Sequence, residues 1–228
     1  MQVGPGSDIG QAPRLFDGGP TTGQVVWRAL AAAGEHAAQA SWIVDTAPQI
    51  RAKPHLSLAR TCLLGAARAL YVLEPDDLLD REVRTLELIR EEAKNVIDVT
   101  TGLSADGTGP YSGIDQEALD LAHDFERECE AALIVRGKKP GRVIKETMLL
   151  ENVAHLTPPS KNDPRMTLLF LWRLSSGAAH ARSWSWDLDL EDLPTETRFL
   201  ITWSTPMALM DAAWELWCQR RGSTADAA

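Results

Sequence analysis

The sequence predicts an all-α protein, a helical bundle of six to seven helices. Apolar residues recur at steps of three and four along most of the chain, and no stretch alternates convincingly enough to predict a sheet. A chain of 228 residues with 44% hydrophobic content can bury one large core. We therefore expect a single helical domain over residues 21–222, a flexible N-terminal arm over 1–20 and a flexible tail over 223–228.

The first two helices are bounded by prolines. A long Ala-rich helix is predicted over 25–47, because Thr21 or Thr22 can cap its start and Pro48 should end it. Pro54 opens the second helix, where leucines and alanines recur at helical spacing.

The third and fourth helices are amphipathic. Pro75, followed by two aspartates, is predicted to stand at the first helical position of the third helix. A Gly/Ser/Thr/Asp loop is predicted over 101–112. Ser112 or Asp115 then caps a fourth helix that runs to about Val135.

The remaining elements follow a basic turn at 136–142. A short helix is predicted over 142–155, then a proline-containing loop, then a helix with Asp163 as its cap and Pro164 at its first position. The segment 184–189 alternates enough to allow a short extended stretch. The last helix ends at Gly222, can kink or restart at Pro206, and gathers one face of large apolar residues: Trp203, Met210, Trp214 and Trp217.

Composition narrows the function classes. The net charge of −9 argues against a protein that coats nucleic acid or adheres to an anionic membrane. Between Arg136 and Arg182, however, nine Lys/Arg face three Asp/Glu. The three cysteines are far apart and form no metal-binding spacing, which favours a reducing, cytoplasmic setting. We find no apolar run of membrane-spanning length, and we expect no membrane partner.

Arg173 and His180 are the candidate catalytic residues. They are seven positions apart, almost two helical turns, so they emerge on one face with Ser176 between them. An imidazole can move a proton to or from a ribose hydroxyl near neutral pH, and a guanidinium can neutralise charge on a phosphate. This pattern is consistent with metal-independent RNA cleavage, and two copies across a two-fold axis would supply both an acid and a base.

The alternative interpretation gives the same residues structural roles. Arg173 would be a buried cation paired with an acid such as Asp120 or Glu151, and His180 a residue stabilised by the end of its helix. The protein would then be a non-catalytic dimerisation or protein-interaction module.

Basic residues near this helix are the candidate RNA-binding residues. Their cations could follow a phosphate backbone, and the alternative is a solvated basic loop. The candidates are Arg136, Lys138, Lys139, Arg142 and Arg182, with Lys145 beside them. Trp184 and Trp186 could stack on bases, or could anchor a core or an interface.

We predict no metal and no other cofactor. Asp120 with His123, and Glu151 with His155, share helix faces, but the chain lacks the additional ligands of a di-iron bundle and any His-Glu-x2-His motif. Phosphate-binding and dinucleotide-binding glycine motifs are also missing from the sequence.

The Arg-x6-His arrangement late in an all-α chain resembles the signature of HEPN domains, in which four to six residues stand between an arginine and a histidine. The segments 58–75 and 172–180, with Arg81 and Arg84, are similar to a group of actinobacterial helical proteins. The resemblance implies a homodimer formed along the 166–182 helix, with Arg173 and His180 carrying metal-independent endoribonuclease activity, often in toxin–antitoxin or antiviral-defence systems. Many active members place Asn, Asp or His directly after the arginine, whereas this chain has Leu174.

Overall fold

The computed structural model describes residues 9, 13–46, 51–104, 116–157, 163–180, 182 and 193–222. The α-helices in these ranges are α1 (Thr22–Thr46), α2 (Ala52–Leu73), α3 (Leu78–Ser104), α4 (Gln116–Val135), α5 (Glu146–Val153), α6 (Pro164–Ala179) and α7 (Thr195–Arg220). A 3-10 turn, Ala154–Leu156, follows α5. The prediction of an all-α bundle is confirmed: the described residues form seven α-helices and no strands beyond one isolated bridge between Arg14 and Thr21.

The central helix of the bundle is α2, which packs mainly against α1, α7 and α6. By length and composition α2 could cross a membrane, but 72% of its most apolar stretch is buried inside the protein. Its apolar character is therefore accounted for by its central position, where it forms the core with residues of α1, α5, α6 and α7.

Gly65 allows α1 and α2 to approach each other closely. A Cβ atom at this position would lie 2.6 Å from the carbonyl oxygen of Ala29 and 3.1 Å from the Cβ of Ala33. Any larger residue would force the two helices apart, so the small residues of α1 set the spacing between these helices.

The antiparallel pair α3 and α4 forms a second core. Leu86 and Cys129 are completely buried between the two helices. Leu15 from the N-terminal segment joins them, and the ring of Phe16 meets that of Phe125 edge to face with centroids 5.6 Å apart. Residues 13–20, which we assigned to a flexible arm, instead pack on the bundle because their apolar side chains fill this second core.

Ile9 also belongs to the bundle. It is 5% exposed, packs in the main core, and its backbone N–H donates to the carbonyl oxygen of Arg220. The repeated glycines and prolines of this region predict mobility. A prediction based on them leaves out the few large apolar residues, which are buried here.

One predicted helix boundary agrees with the structure and another is shifted by three residues. As predicted, α1 ends at Thr46, before Pro48. Helix α3 begins at Leu78 rather than at Pro75, because the carboxylate of Asp77 accepts from the backbone N–H of Leu79 (2.6 Å) and Asp80 (3.2 Å) and caps the helix there.

Three further boundaries differ from prediction. Helix α3 continues to Ser104, into the predicted loop, and α5 begins only at Glu146. Helix α7 passes through Pro206 without restarting, with Trp203 and Trp217 each 3% exposed in the cores. The cap at Ser112 or Asp115, the extended stretch at 184–189 and the tail at 223–228 lie outside the described residues.

Candidate functional site

Helix α6 carries the candidate catalytic residues. It begins as predicted: the carboxylate of Asp163 accepts from the N–H of Arg165 at 3.0 Å, and Pro164 occupies the first helical position. Its inner face packs on α2 and α5 through buried residues, among them Leu168, Leu171, Leu174, Ser175 and Gly177. The opposite face is exposed to solvent.

The three predicted catalytic residues lie together on this outer face. Arg173, Ser176 and His180 line one depression of about 200 Å³, and Arg182 lines it with them. Arg173, His180 and Arg182 are exposed, and Ser176 is half-buried. The depression is therefore open to solvent and brings together two guanidinium groups, an imidazole and a hydroxyl group.

The paired serines of this helix have different surroundings. Ser175 is buried, and its hydroxyl donates to the carbonyl oxygen of Leu171 at 2.7 Å, within its own helix. Ser176 points instead into the depression. Only the second serine is placed where it can contact a bound molecule.

The alternative of a buried, paired Arg173 is wrong. The carboxylate of Glu151 accepts from Arg165 at 2.6 Å, and that of Asp120 accepts from Gln116 at 2.8 Å. Arg173 is exposed, and within the described part of the chain its side chain has no hydrogen bond or ion pair. The same holds, within those ranges, for the imidazole of His180, whose backbone N–H closes the helix on the carbonyl oxygen of Ser176 at 3.0 Å.

Helix α5 supports this site through contacts between residues that are distant in the chain. The indole N–H of Trp172 donates to the carboxylate of Glu146 at 3.0 Å, and Arg60 of α2 donates to the same carboxylate at 3.0 Å. Trp172 and Gly177 complete the lining of the depression. The only sequence signal was the position of Trp172 next to Arg173, because its partners are distant in the chain.

Leu174 lies on the opposite side of the helix from the depression. It is 1% exposed and belongs to the buried face of α6. The position directly after Arg173 is therefore occupied by a core side chain that does not reach the depression.

Two of the five candidate RNA-binding residues are engaged with α3. The guanidinium of Arg136 contacts the carboxylate of Glu82 at 2.7 Å, and these side chains are only 13% and 10% exposed. Lys138 lies 3.6 Å from the carboxylate of Asp80. Arg136 therefore joins α4 to α3 and does not present its charge to solvent.

The other three candidates are exposed. Lys139 and Arg142 lie in the turn before α5, and Arg182 lies at the depression itself. The segment that carries Arg142 and Lys145 ends at Glu146, the first residue of α5. Because the carboxylate of Glu146 accepts from the indole N–H of Trp172, the end of this segment lies beside α6. Trp184 and Trp186 lie outside the described residues.

The candidate metal pairs are separated by other contacts. Glu151 is bound to Arg165, and the imidazole of His155 lies 3.5 Å from the carboxylate of Glu74 instead. Across the described ranges, no group of three or more His, Cys, Asp or Glu residues is placed to hold a metal ion.

Comparisons with protein-family models, with curated proteins and with solved structures gave no match to this chain. We therefore infer the function from the chemistry of the residues in the site.

Proposed function

We propose that this protein is a metal-independent endoribonuclease that acts as a homodimer through α6. The observation that carries the proposal is the open depression in which Arg173, Ser176, His180 and Arg182 meet. An exposed guanidinium, that of Arg173, beside a proton-transfer group suits a phosphodiester, whose charge it can neutralise.

These groups supply every role in the reaction except the final acid. The imidazole of His180 removes the proton from a ribose 2′-hydroxyl, and the 2′-oxygen attacks the adjacent phosphorus. The guanidinium of Arg173 donates to the non-bridging oxygens as their charge grows, and the hydroxyl of Ser176 adds a donor. The bond from phosphorus to the 5′-oxygen breaks, leaving a 2′,3′-cyclic phosphate and, once the 5′-oxygen is protonated, a 5′-hydroxyl.

A second copy of the chain supplies the acid for that last step. One helix carries a single imidazole in the depression, and a two-fold axis places the same residue of a second copy opposite it. Met166 and Phe170, which are 61% and 51% exposed, lie on the same side of α6 as Arg173 and give the dimer contact an apolar half.

The rival function is a non-catalytic interaction module. It is favoured by the same exposed Met166 and Phe170, and by Leu174 at the position where active HEPN domains often carry a polar residue. Under this alternative α6 is only an interface, and its polar residues contribute contacts at the rim.

The first experiment incubates RNA with the protein in EDTA and analyses the ends of the products. We expect fragments with 2′,3′-cyclic phosphate and 5′-hydroxyl ends from the wild type. The His180→Ala variant should give none, and the matched His123→Ala variant, which changes an exposed histidine on α4, should cleave like the wild type. Intact RNA in every reaction would favour the interaction module.

The second experiment measures the oligomeric state by sedimentation. We expect the wild type to be a dimer, the Phe170→Glu variant to be a monomer without cleavage activity, and the Val135→Glu variant to remain a dimer. Val135 is the control because it is 83% exposed and lies on α4. Cleavage by a wild-type monomer would contradict the role of the second copy.

A further inference from the structure

A large cleft lies between the four N-terminal helices, away from the depression on α6. Its volume is about 820 Å³, within the range of small-molecule sites. No residue that lines the depression lines this cleft. It is therefore a separate feature, and binding of a ligand in this cleft does not require RNA cleavage at α6.

The floor of the cleft is aliphatic. Its apolar lining comes from all four helices, with Phe125 as the one aromatic side chain among the residues that line it. Val96 and Leu121 are 46% and 55% exposed there. A concave aliphatic surface open to water gains free energy when an apolar chain covers it.

Four arginines line the cleft, but they are not equivalent. Arg68 is held by Glu91 and Glu92 at 2.5 and 2.6 Å, and Arg60 by Glu146 at 3.0 Å. Even so, the Nε of Arg60 is buried without an acceptor.

The other two arginines have no such partners. Arg14 and Arg28 are exposed, and in the described ranges neither has an ion pair. The one acidic residue of the lining, Glu92, is already bound to Arg68. The cleft therefore combines an aliphatic floor with unneutralised positive charge.

We propose that this cleft binds a carboxylate with a linear alkyl chain, of the fatty-acid class. The chain lies along the aliphatic floor, and the carboxylate accepts hydrogen bonds from the guanidinium of Arg28, with Arg14 as the second cation. Guanidinium groups bind carboxylates with two parallel hydrogen bonds, so this pairing fixes the orientation of the ligand. The aliphatic lining favours a linear chain over a flat aromatic ring.

The test is calorimetric titration of the full-length protein with decanoate and, in parallel, with decanol. The two probes share the alkyl chain and differ in the charged end. We expect saturable binding of one decanoate per chain, and weaker binding of decanol by about five- to tenfold, because the charge-assisted hydrogen bonds are lost.

Two variants locate the site. Arg28→Ala should weaken decanoate binding by about five- to tenfold and leave decanol binding unchanged. Ala118→Trp, at an exposed position of the lining, should weaken both probes by filling the cleft. Arg127→Ala is the matched control, since Arg127 pairs with Asp124 on the exposed side of α4 outside the cleft.

Thermal melting of each variant checks that it is folded. Failure of the wild type to bind decanoate would overturn the proposal. So would equal affinity for decanol, or variants that bind like the wild type. None of these outcomes depends on whether the protein cleaves RNA.

Discussion

Helices α2 and α6 both place arginines beside an apolar stripe, yet they treat the charge differently. The arginines of α2, Arg60 and Arg68, each meet carboxylates from another helix. Arg173 of α6 stands at an open depression with an imidazole and a second guanidinium for neighbours. Among the described residues, a cation on these helices is therefore structural where an acid faces it, and is available to a ligand where none does.

The largest effect is expected from substitution of Arg173, the exposed arginine of α6. Arg173→Ala should lower the rate of RNA cleavage by about 100-fold or more, because a donor to the transition-state charge is lost. Its free energy of unfolding should change by less than about 0.5 kcal/mol, since the side chain is exposed. Cleavage kinetics and urea denaturation measure the two effects.

Arg68→Ala is the matched variant on α2. It leaves Glu91 and Glu92 without their cation, so it should lower the free energy of unfolding by about 1 kcal/mol. The rate of cleavage should stay within about twofold of the wild type, which is the change expected of a group that makes no contact with the transition state. Equal effects of the two substitutions on stability would break the comparison.

A second prediction concerns the packing of α2. Gly65→Ala should lower the free energy of unfolding by about 2 kcal/mol, because the added methyl group meets the backbone of α1. Gly102→Ala is the control: it is in α3, has open space around it, and should raise stability by up to about 1 kcal/mol through helix propensity. Urea denaturation of both variants measures the difference, and a neutral Gly65→Ala would contradict the close approach of α1 and α2.

A third prediction extends the comparison to the basic segment. Arg136→Ala should lower the free energy of unfolding by about 1–2 kcal/mol, because it leaves the nearly buried Glu82 unpaired. Lys139→Ala, at an exposed position, should leave stability unchanged and weaken RNA binding. The reverse result, with Arg136 affecting only RNA binding, would restore its predicted role.

The features that could be predicted from the sequence are those with a local signal. The start of α6 was predictable because Asp163 and Pro164 form a local signal, and the common face of Arg173 and His180 follows from helical periodicity. The pairing of Arg136 with Glu82, and of Glu146 with Trp172 and Arg60, was not predictable. Those contacts join positions that are distant in the chain, and only the packing of the helices brings them together.

The burial of Leu15 and Phe16 was missed for the same reason. Their neighbours are glycines and prolines, which locally indicate irregular structure, whereas their partner Phe125 belongs to α4. These neighbours predict a flexible arm, and they carry no signal of the contact that holds Leu15 and Phe16 against the second core.

The smallest predicted effect is a pH dependence of the free energy of unfolding, caused by His55 on α2. His55 is 3% exposed between Phe199 and Trp203, and its Nδ1 accepts from the indole N–H of Trp203 at 3.3 Å. Burial lowers the pKa of this imidazole from its ordinary value of 6.5. The unfolded chain therefore binds a proton first as the pH falls below that value, so the contribution of His55 to stability is complete above it and declines below it.

The melting temperature should accordingly fall more between pH 7.5 and pH 5.5 in the wild type than in His55→Gln. Identical pH profiles would show that His55 is not buried as a neutral group.

RNA cleavage at the depression on α6 can be tested with a DNA oligonucleotide that contains a single ribonucleotide, incubated with the protein in EDTA. If the depression on α6 cleaves RNA as described, the strand is cut only after the ribose and carries a 2′,3′-cyclic phosphate at that end, and His180→Ala leaves it intact. A strand that stays whole with the wild type, or that is cut at deoxyribose positions, would contradict the account.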